Sequence, residues 1–500
     1  MDNVKATEAK KKVVQAKKRD YVYFFLALFF ALITANGTYE LAYQFLFSLG
    51  SFCMLTVSLF YLGKPTRKTL LGCVSLATAF ILIISFAVHE NTSFAFFKLV
   101  FLILAISLFI VFSYDVKAPK STDFRALFSP LYLFFRINVP AFSLTARSLA
   151  SKNASVGKKA AKVLLTLLVT FPPLLFITLL LVYADRAFEG FIDQISFNVG
   201  EFVTTVFVGA LILVCVFPLL FAISKKEIDG QNNEKKPYLS ALDSIFVNTF
   251  LTSLSLIYLI FLATQISYLG GGFTGLLPPD FTYAEYARRG FFEMCLVCII
   301  NLGIIFICEF MIKRTDEKIP RFTKILNTFI SAFSIFLIVS AIAKMFMYIR
   351  TYGLTFLRLG TSIFMLMLFI AFTCMIVKSY TKNFSAMKTV LVAACVIMSL
   401  AAIVEPYNVI AEYNLYAYES GMHDEYELDT NYFAYHCGAY GTKALITLAA
   451  DENTFVASRA KEKLDNIHSR YYHSANGTFL REGSLARHSA NLLLKEYYSE

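Results

Sequence analysis

Long apolar blocks separated by short polar stretches dominate the pattern along this chain. A helix rises about 1.5 Å per residue, so about 20 apolar residues cross a hydrocarbon layer about 30 Å thick. The blocks have this length and lack the period-2 alternation of strands, and lipid offers the backbone no hydrogen-bond partners, so they are predicted to be helices. The predicted spans lie near residues 21–36, 41–62, 70–88, 94–114, 163–183, 201–222, 244–264, 290–310, 325–349, 355–377 and 389–404.

The distribution of basic residues gives an internal test of these eleven spans. Loops on the cytoplasmic side of a membrane are enriched in Lys and Arg. With the N-terminus inside, the loops predicted to lie inside hold 31 Lys and Arg, and the loops predicted to lie outside hold 5. A missed span would invert every later loop, so this asymmetry supports both the span list and the orientation.

Three regions follow from the span list. Residues 1–20 form a basic cytoplasmic segment, residues 21–404 a transmembrane helical domain, and residues 405–500 a small extracytoplasmic domain. The last region has helical apolar spacing, with Asn453 and Ser484 at expected N-cap positions. The predicted fold class is therefore all-α, a polytopic bundle with a helical outer domain.

The segment 124–150 is apolar but does not read as a span. Pro130, Arg136 and Pro140 interrupt it, so we interpret it as interfacial. A span at this point would reverse the orientation of everything that follows.

Composition excludes an ordinary soluble protein. The chain is 57% apolar and 16% charged, whereas soluble domains are about 25% charged. The net charge of +11 is explained by orientation and by contact with anionic lipid headgroups, without nucleic acid. Eight of the nine cysteines lie in apolar blocks, which disfavours a disulfide framework. No cofactor fingerprint appears, and the histidines lack the spacing of a zinc site.

The candidate functional residues are charged groups at the outer ends of the last spans. The segment 276–294 carries a ladder of paired charges that runs into a span, where ionisable groups suggest function. The outer cluster consists of Glu285, Arg288, Arg289, Glu293, Lys344, Arg350, Arg358 and Glu405.

Two interpretations of this cluster stay open. It could bind an anionic ligand, such as a lipid headgroup or an envelope polymer. It could instead dock the acidic C-terminal domain, and this is the simpler interpretation because charge complementarity within the chain already explains the excess of cations. Deeper in the eighth span, Asn301 is expected to bond a neighbouring helix rather than to line a polar path.

Two segments resemble signatures of bacterial membrane proteins in the domain-of-unknown-function families 4153 and 4173. The first is YAEYARRGFFEM, from Tyr283 through Glu293. The second is EPYNVIAEYNL…LDTNYF, which covers Pro406–Asn414 and Leu428–Tyr432. The resemblance implies a bacterial cytoplasmic membrane and an undivided polytopic domain, and it implies no established activity.

Three functions are considered. The leading hypothesis is a non-enzymatic protein that binds, senses or scaffolds an envelope component or a membrane protein partner through the outer cluster. A secondary transporter of an anionic or lipid-like substrate is the alternative, although the broken, charged mid-membrane helices and the inverted repeat of that class are not evident. A membrane-embedded transferase acting on a lipid-linked substrate, with Glu285 or Glu293 as base, is the third.

Overall fold

The computed structural model describes residues 16–39, 44–90, 93–114, 116, 127–150, 199–225, 243–272, 291–311, 320–381, 384–423, 428–474 and 483–499. Every element within these ranges is a helix, which agrees with the predicted fold class. The chain forms two compact units, one of residues 1–119, 125–230 and 468–500 and the other of residues 120–124 and 231–467. The predicted division at residue 405 stays a prediction.

The described helices of unit 1 begin with four long apolar helices. The full set of described helices in this unit is α1 (Lys18–Tyr39), α2 (Gln44–Leu62), α3 (Leu70–Val88), α4 (Phe94–Ser113), α5 (Ser129–Tyr132), a π-helical turn (Leu133–Asn138), α6 (Val139–Ala150), α7 (Val199–Ser224) and α17 (Leu485–Ser499). Helix α1 packs on α2 and α7, and α3 packs on α2 and α4. A Cβ atom on Gly37 would lie 2.3 Å from Phe47 N, so glycine permits the close approach of α1 and α2.

The segment from residue 129 to residue 150 is helical throughout. Pro140 has no N–H to donate to the carbonyl four residues earlier, and a π-helical turn precedes it. Asn138 is buried and donates from Nδ2 to the carbonyl of Val214 at 3.2 Å. The interfacial position of this segment stays a prediction.

Unit 2 is built around the longest described helix. Its helices are α8 (Ser244–Gly272), α9 (Phe291–Met311), α10 (Arg321–Tyr352), α11 (Phe356–Tyr380), α12 (Ala386–Val404), α13 (Pro406–Glu419), α14 (Thr430–Tyr435), α15 (Ala439–Ala449) and most of α16 (Thr454–Ser474). Helix α10 packs on α8, α9 and α11, and α13 packs on α11, α12 and α15. The predicted caps are confirmed, because Asn453 accepts from Val456 N and Ser484 from Arg487 N.

Nine described helices are long and apolar enough to cross a membrane, and each coincides with a predicted span. Of the two other predicted spans, 163–183 lies outside the described residues and 290–310 falls on α9, whose apolar stretch Glu293–Cys308 is shorter. Large apolar side chains are exposed along these helices, Phe60 at 81% and Ile260 at 68%. Such surface requires lipid, so the chain is a multi-pass membrane protein.

Candidate functional site

The turn between α10 and α11, residues 350–358, holds two of the predicted site residues. Its backbone reverses at Gly353, which has φ +74°. Arg358 donates from Nη1 to the carbonyl oxygens of Tyr352 (2.6 Å) and Gly353 (2.5 Å). Its guanidinium lies 4.3 Å from the ring centroid of Tyr348. Arg358 therefore caps the C-terminal end of α10, where a cation favourably meets the helix dipole.

Three side chains from the C-terminal segment hold the same turn, and we call them the clasp. Asn414 donates to the carbonyl of Leu354 at 2.9 Å and accepts from Leu354 N at 2.7 Å. His423 Nε2 lies 2.9 Å from the carbonyl oxygen of Arg350, so this nitrogen is the donor. Tyr432 accepts from Phe356 N at 2.9 Å through its hydroxyl. Side chains thus satisfy four backbone groups of the turn.

The clasp is closely packed. A Cβ atom on Gly353 would lie 2.9 Å from Asn414 Oδ1 and 3.3 Å from His423 Cε1, so a larger residue does not fit without movement. Phe356 stacks on Tyr407 with ring centroids 5.1 Å apart. Burial raises the pKa of the Tyr432 phenol to about 12, so the phenol that accepts the hydrogen bond is neutral at physiological pH.

The structure brings together some members of the predicted outer cluster. Glu293 begins α9 with an exposed side chain and interacts electrostatically with Lys344 of α10. Arg350 has an exposed side chain, and Glu405 is fully buried between α12 and α13 with φ +58°. Glu285, Arg288 and Arg289 lie outside the described residues. The functional role of the cluster stays a prediction.

The clasp residues were missed by the sequence analysis because they are neutral and follow no charge pattern. A signal was nevertheless present. Asn414 and Tyr432 each end one of the two distal segments that carry the family resemblance, Pro406–Asn414 and Leu428–Tyr432.

A series of hydrogen-bonded polar side chains joins three helices inside unit 2. Asn301 is fully buried on α9, accepts from the Tyr258 hydroxyl of α8 at 2.5 Å and donates to Ser334 Oγ of α10 at 2.9 Å. The prediction that Asn301 bonds a neighbouring helix is confirmed, and it bonds two. Inside a membrane such a series of hydrogen bonds fixes the positions of three helices relative to one another.

A buried ion pair occupies one end of unit 1. The Asp20 carboxylate is 1% exposed, and it accepts from Lys225 Nζ at 2.5 Å and from the Tyr61 hydroxyl at 2.9 Å. The Tyr61 hydroxyl also lies 3.0 Å from Ser224 Oγ, and its ring stacks on Tyr23 at 4.0 Å. This network joins the start of α1, the end of α2 and the end of α7.

Among the described residues, no group of three or more His, Cys, Asp or Glu side chains could hold a metal ion.

A family model described as a domain of unknown function, DUF4153, matches residues 76–448. The chain belongs to the DUF4153 family. Membership confirms the 4153 part of the resemblance, while the 4173 part is not shown. The DUF4153 match covers α10, α11 and all three clasp residues. No curated protein and no solved structure matches the chain.

Proposed function

We propose that this DUF4153 protein binds an anionic component of the cell envelope at the α10–α11 turn and thereby senses or scaffolds it. In this proposal the chain crosses a bacterial cytoplasmic membrane eleven times with its N-terminus inside. The 31 to 5 asymmetry of basic residues supports that orientation. The turn and the C-terminal segment then lie outside.

The observation that carries the proposal is that the clasp fixes the backbone on both sides of an arginine-bearing turn. Arg350 O, Leu354 N, Leu354 O and Phe356 N all have side-chain partners. A ligand that meets a fixed backbone loses less conformational entropy on binding than one that must order a loop. The turn is thus a preorganised platform.

Arg350 is the residue we assign to the ligand. Its side chain is exposed, whereas the Arg358 guanidinium contacts two carbonyl groups of the turn. A guanidinium presents paired donors that match a phosphate or carboxylate. The exposed Glu293 and the half-buried Lys344, which interact electrostatically, favour a polar rather than an apolar ligand.

The test compares two arginines at opposite ends of one helix. The protein is placed in nanodiscs of zwitterionic lipid, and binding of fluorescent polyphosphate is measured, with neutral dextran as the blank. Losing a charge-assisted hydrogen bond costs about 1.5–3 kcal/mol, so Arg350→Ala should weaken binding about 10- to 100-fold. Arg321→Ala removes the same charge from the other end of α10 and should have no effect. Equal affinities of the parent and Arg350→Ala would refute the proposal.

The source of the anion is distinguished by lipid composition. In nanodiscs that contain phosphatidylglycerol, a lipid headgroup at the turn should compete with polyphosphate and lower its apparent affinity. An unchanged affinity would identify a soluble or polymeric anion as the ligand.

A further inference from the structure

One face of α10 carries a row of buried polar residues, whereas the other buried residues of this helix are apolar. Thr323, Asn327, Ser331 and Ser334 follow one another at spacings of 4, 4 and 3, which places them on one stripe of the helix. Their exposed fractions are 0%, 5%, 1% and 0%. We call these four residues the polar stripe.

Both ends of the polar stripe are satisfied by neighbouring helices. Thr323 donates to Asn248 Oδ1 of α8 at 2.6 Å. Ser334 accepts from Asn301 Nδ2 of α9 at 2.9 Å and donates to its own helix at the carbonyl of Ile330. The residues at the two ends of the stripe therefore form hydrogen bonds between α10 and its neighbours α8 and α9.

The middle of the stripe differs. Ser331 donates to the backbone carbonyl of Asn327, and Asn327 Oδ1 is buried with no hydrogen-bond partner among the described residues. A buried acceptor without a partner costs about 1–3 kcal/mol, so buried side-chain oxygens are nearly always bonded to protein or to ordered water. What this oxygen requires is a hydrogen-bond donor or a small cation.

The surroundings of Asn327 indicate where the occupant enters. Asn327 is six residues from the first residue of α10, about 9 Å along the axis. Arg321 and Phe322, at that end, are exposed. The N-terminal end of α10 is therefore the nearer end for an occupant that comes from water, since lipid could supply no donor.

We propose that the polar stripe lines a hydrated site inside unit 2, open at the N-terminal end of α10, in which Asn327 Oδ1 binds water or a small monovalent cation. This site goes beyond the anion binding proposed for the α10–α11 turn and does not depend on it. The unpartnered atom is a neutral acceptor, which suits water or a monovalent cation, whereas an anion would need a donor at this position.

The test uses cysteine accessibility in nanodiscs. Ser331→Cys and Ser334→Cys are near-isosteric, and the control Ala332→Cys lies next to position 331 along α10 with an exposed side chain. A charged, membrane-impermeant methanethiosulfonate should modify Cys at 331 faster than at 334 and should not modify it at 332, which faces lipid in this proposal. Mass spectrometry separates these sites from the native cysteines.

A second variant tests whether modification at position 331 depends on Asn327. Replacing Asn327 by Leu removes the polar atom that holds the occupant, so the rate at position 331 should fall about tenfold, equivalent to one hydrogen bond of about 1.4 kcal/mol. Melting temperatures in NaCl and in N-methyl-D-glucamine chloride identify the occupant. Stabilisation by Na⁺ in the parent but not in Asn327→Leu indicates a cation, and equal melting temperatures indicate water. Modification at 331 no faster than at 332 would overturn the proposal.

Discussion

The Asp20–Lys225 ion pair makes the sharpest prediction about stability, because removing one partner leaves a charge in a nearly closed site. The Asp20 side chain is 2% exposed and that of Lys225 is 13% exposed. The carboxylate also accepts from Tyr61 and from Lys17 N at 2.6 Å. Asp20→Asn removes the negative charge while it keeps the size of the side chain.

The expected cost follows from this burial. Breaking a buried ion pair by removing one partner costs about 3–5 kcal/mol. Lys225 retains some exposure and lies over the Phe221 ring at 5.2 Å, so it can reach water. We therefore expect the lower end, a loss of about 3 kcal/mol in the free energy of unfolding.

The assay is equilibrium unfolding in mixed micelles as the fraction of SDS is raised. The double variant Asp20→Asn/Lys225→Met should recover most of the loss, because no buried charge is left unpaired. Glu462→Gln is the matched control, since Glu462 is 63% exposed and its pair with Lys463 should contribute at most about 1 kcal/mol. If Asp20→Asn and Glu462→Gln lose equal stability, the network does not tie α1, α2 and α7 together.

Three further predictions concern the α10–α11 turn and the C-terminal segment. Asn414→Ala removes two hydrogen bonds to the turn and should cost about 2 kcal/mol, seen as faster proteolysis after residue 405, whereas Asn408→Ala, which loses an exposed bond to Glu412, should leave cleavage unchanged. Gly353→Ala combines positive φ with a 2.9 Å contact and should lower the melting temperature, and a temperature equal to the parent's would contradict the packing of the clasp. Burial raises the pKa of Cys437 from 9.0 to about 12, so its contribution to stability is complete below pH 9 and lost as pH rises toward 12. The melting temperature should therefore fall over that range in the parent more than in Cys437→Ala, and parallel curves would refute this.

Span positions could be predicted from the sequence because block length alone decides whether a helix can cross the bilayer. Nine of the predicted blocks coincide for this reason with described helices that are long and apolar enough to cross a membrane. The caps at Asn453 and Ser484 could be predicted as well, since capping is a local interaction.

Long-range partners could not be predicted in the same way. Arg358 was expected to meet carboxylates or an anion, and its described hydrogen bonds go instead to the end of α10, because the reversal at Gly353 brings those carbonyls within reach. Tyr258, Asn301 and Ser334 lie far apart in sequence, and only the packing of three helices joins them. The charge pattern of the sequence does not indicate the hydrogen-bond partners of a neutral polar residue such as Asn414.

The side of the membrane on which the C-terminal segment lies tests the account most directly. Ser420→Cys places a thiol at an exposed position after α13, and Arg321→Cys places one at the exposed start of α10. A membrane-impermeant maleimide applied to intact cells should label position 420, and it should label position 321 only after permeabilisation. Labelling of position 321 in intact cells, with position 420 protected until permeabilisation, would contradict an outward-facing turn.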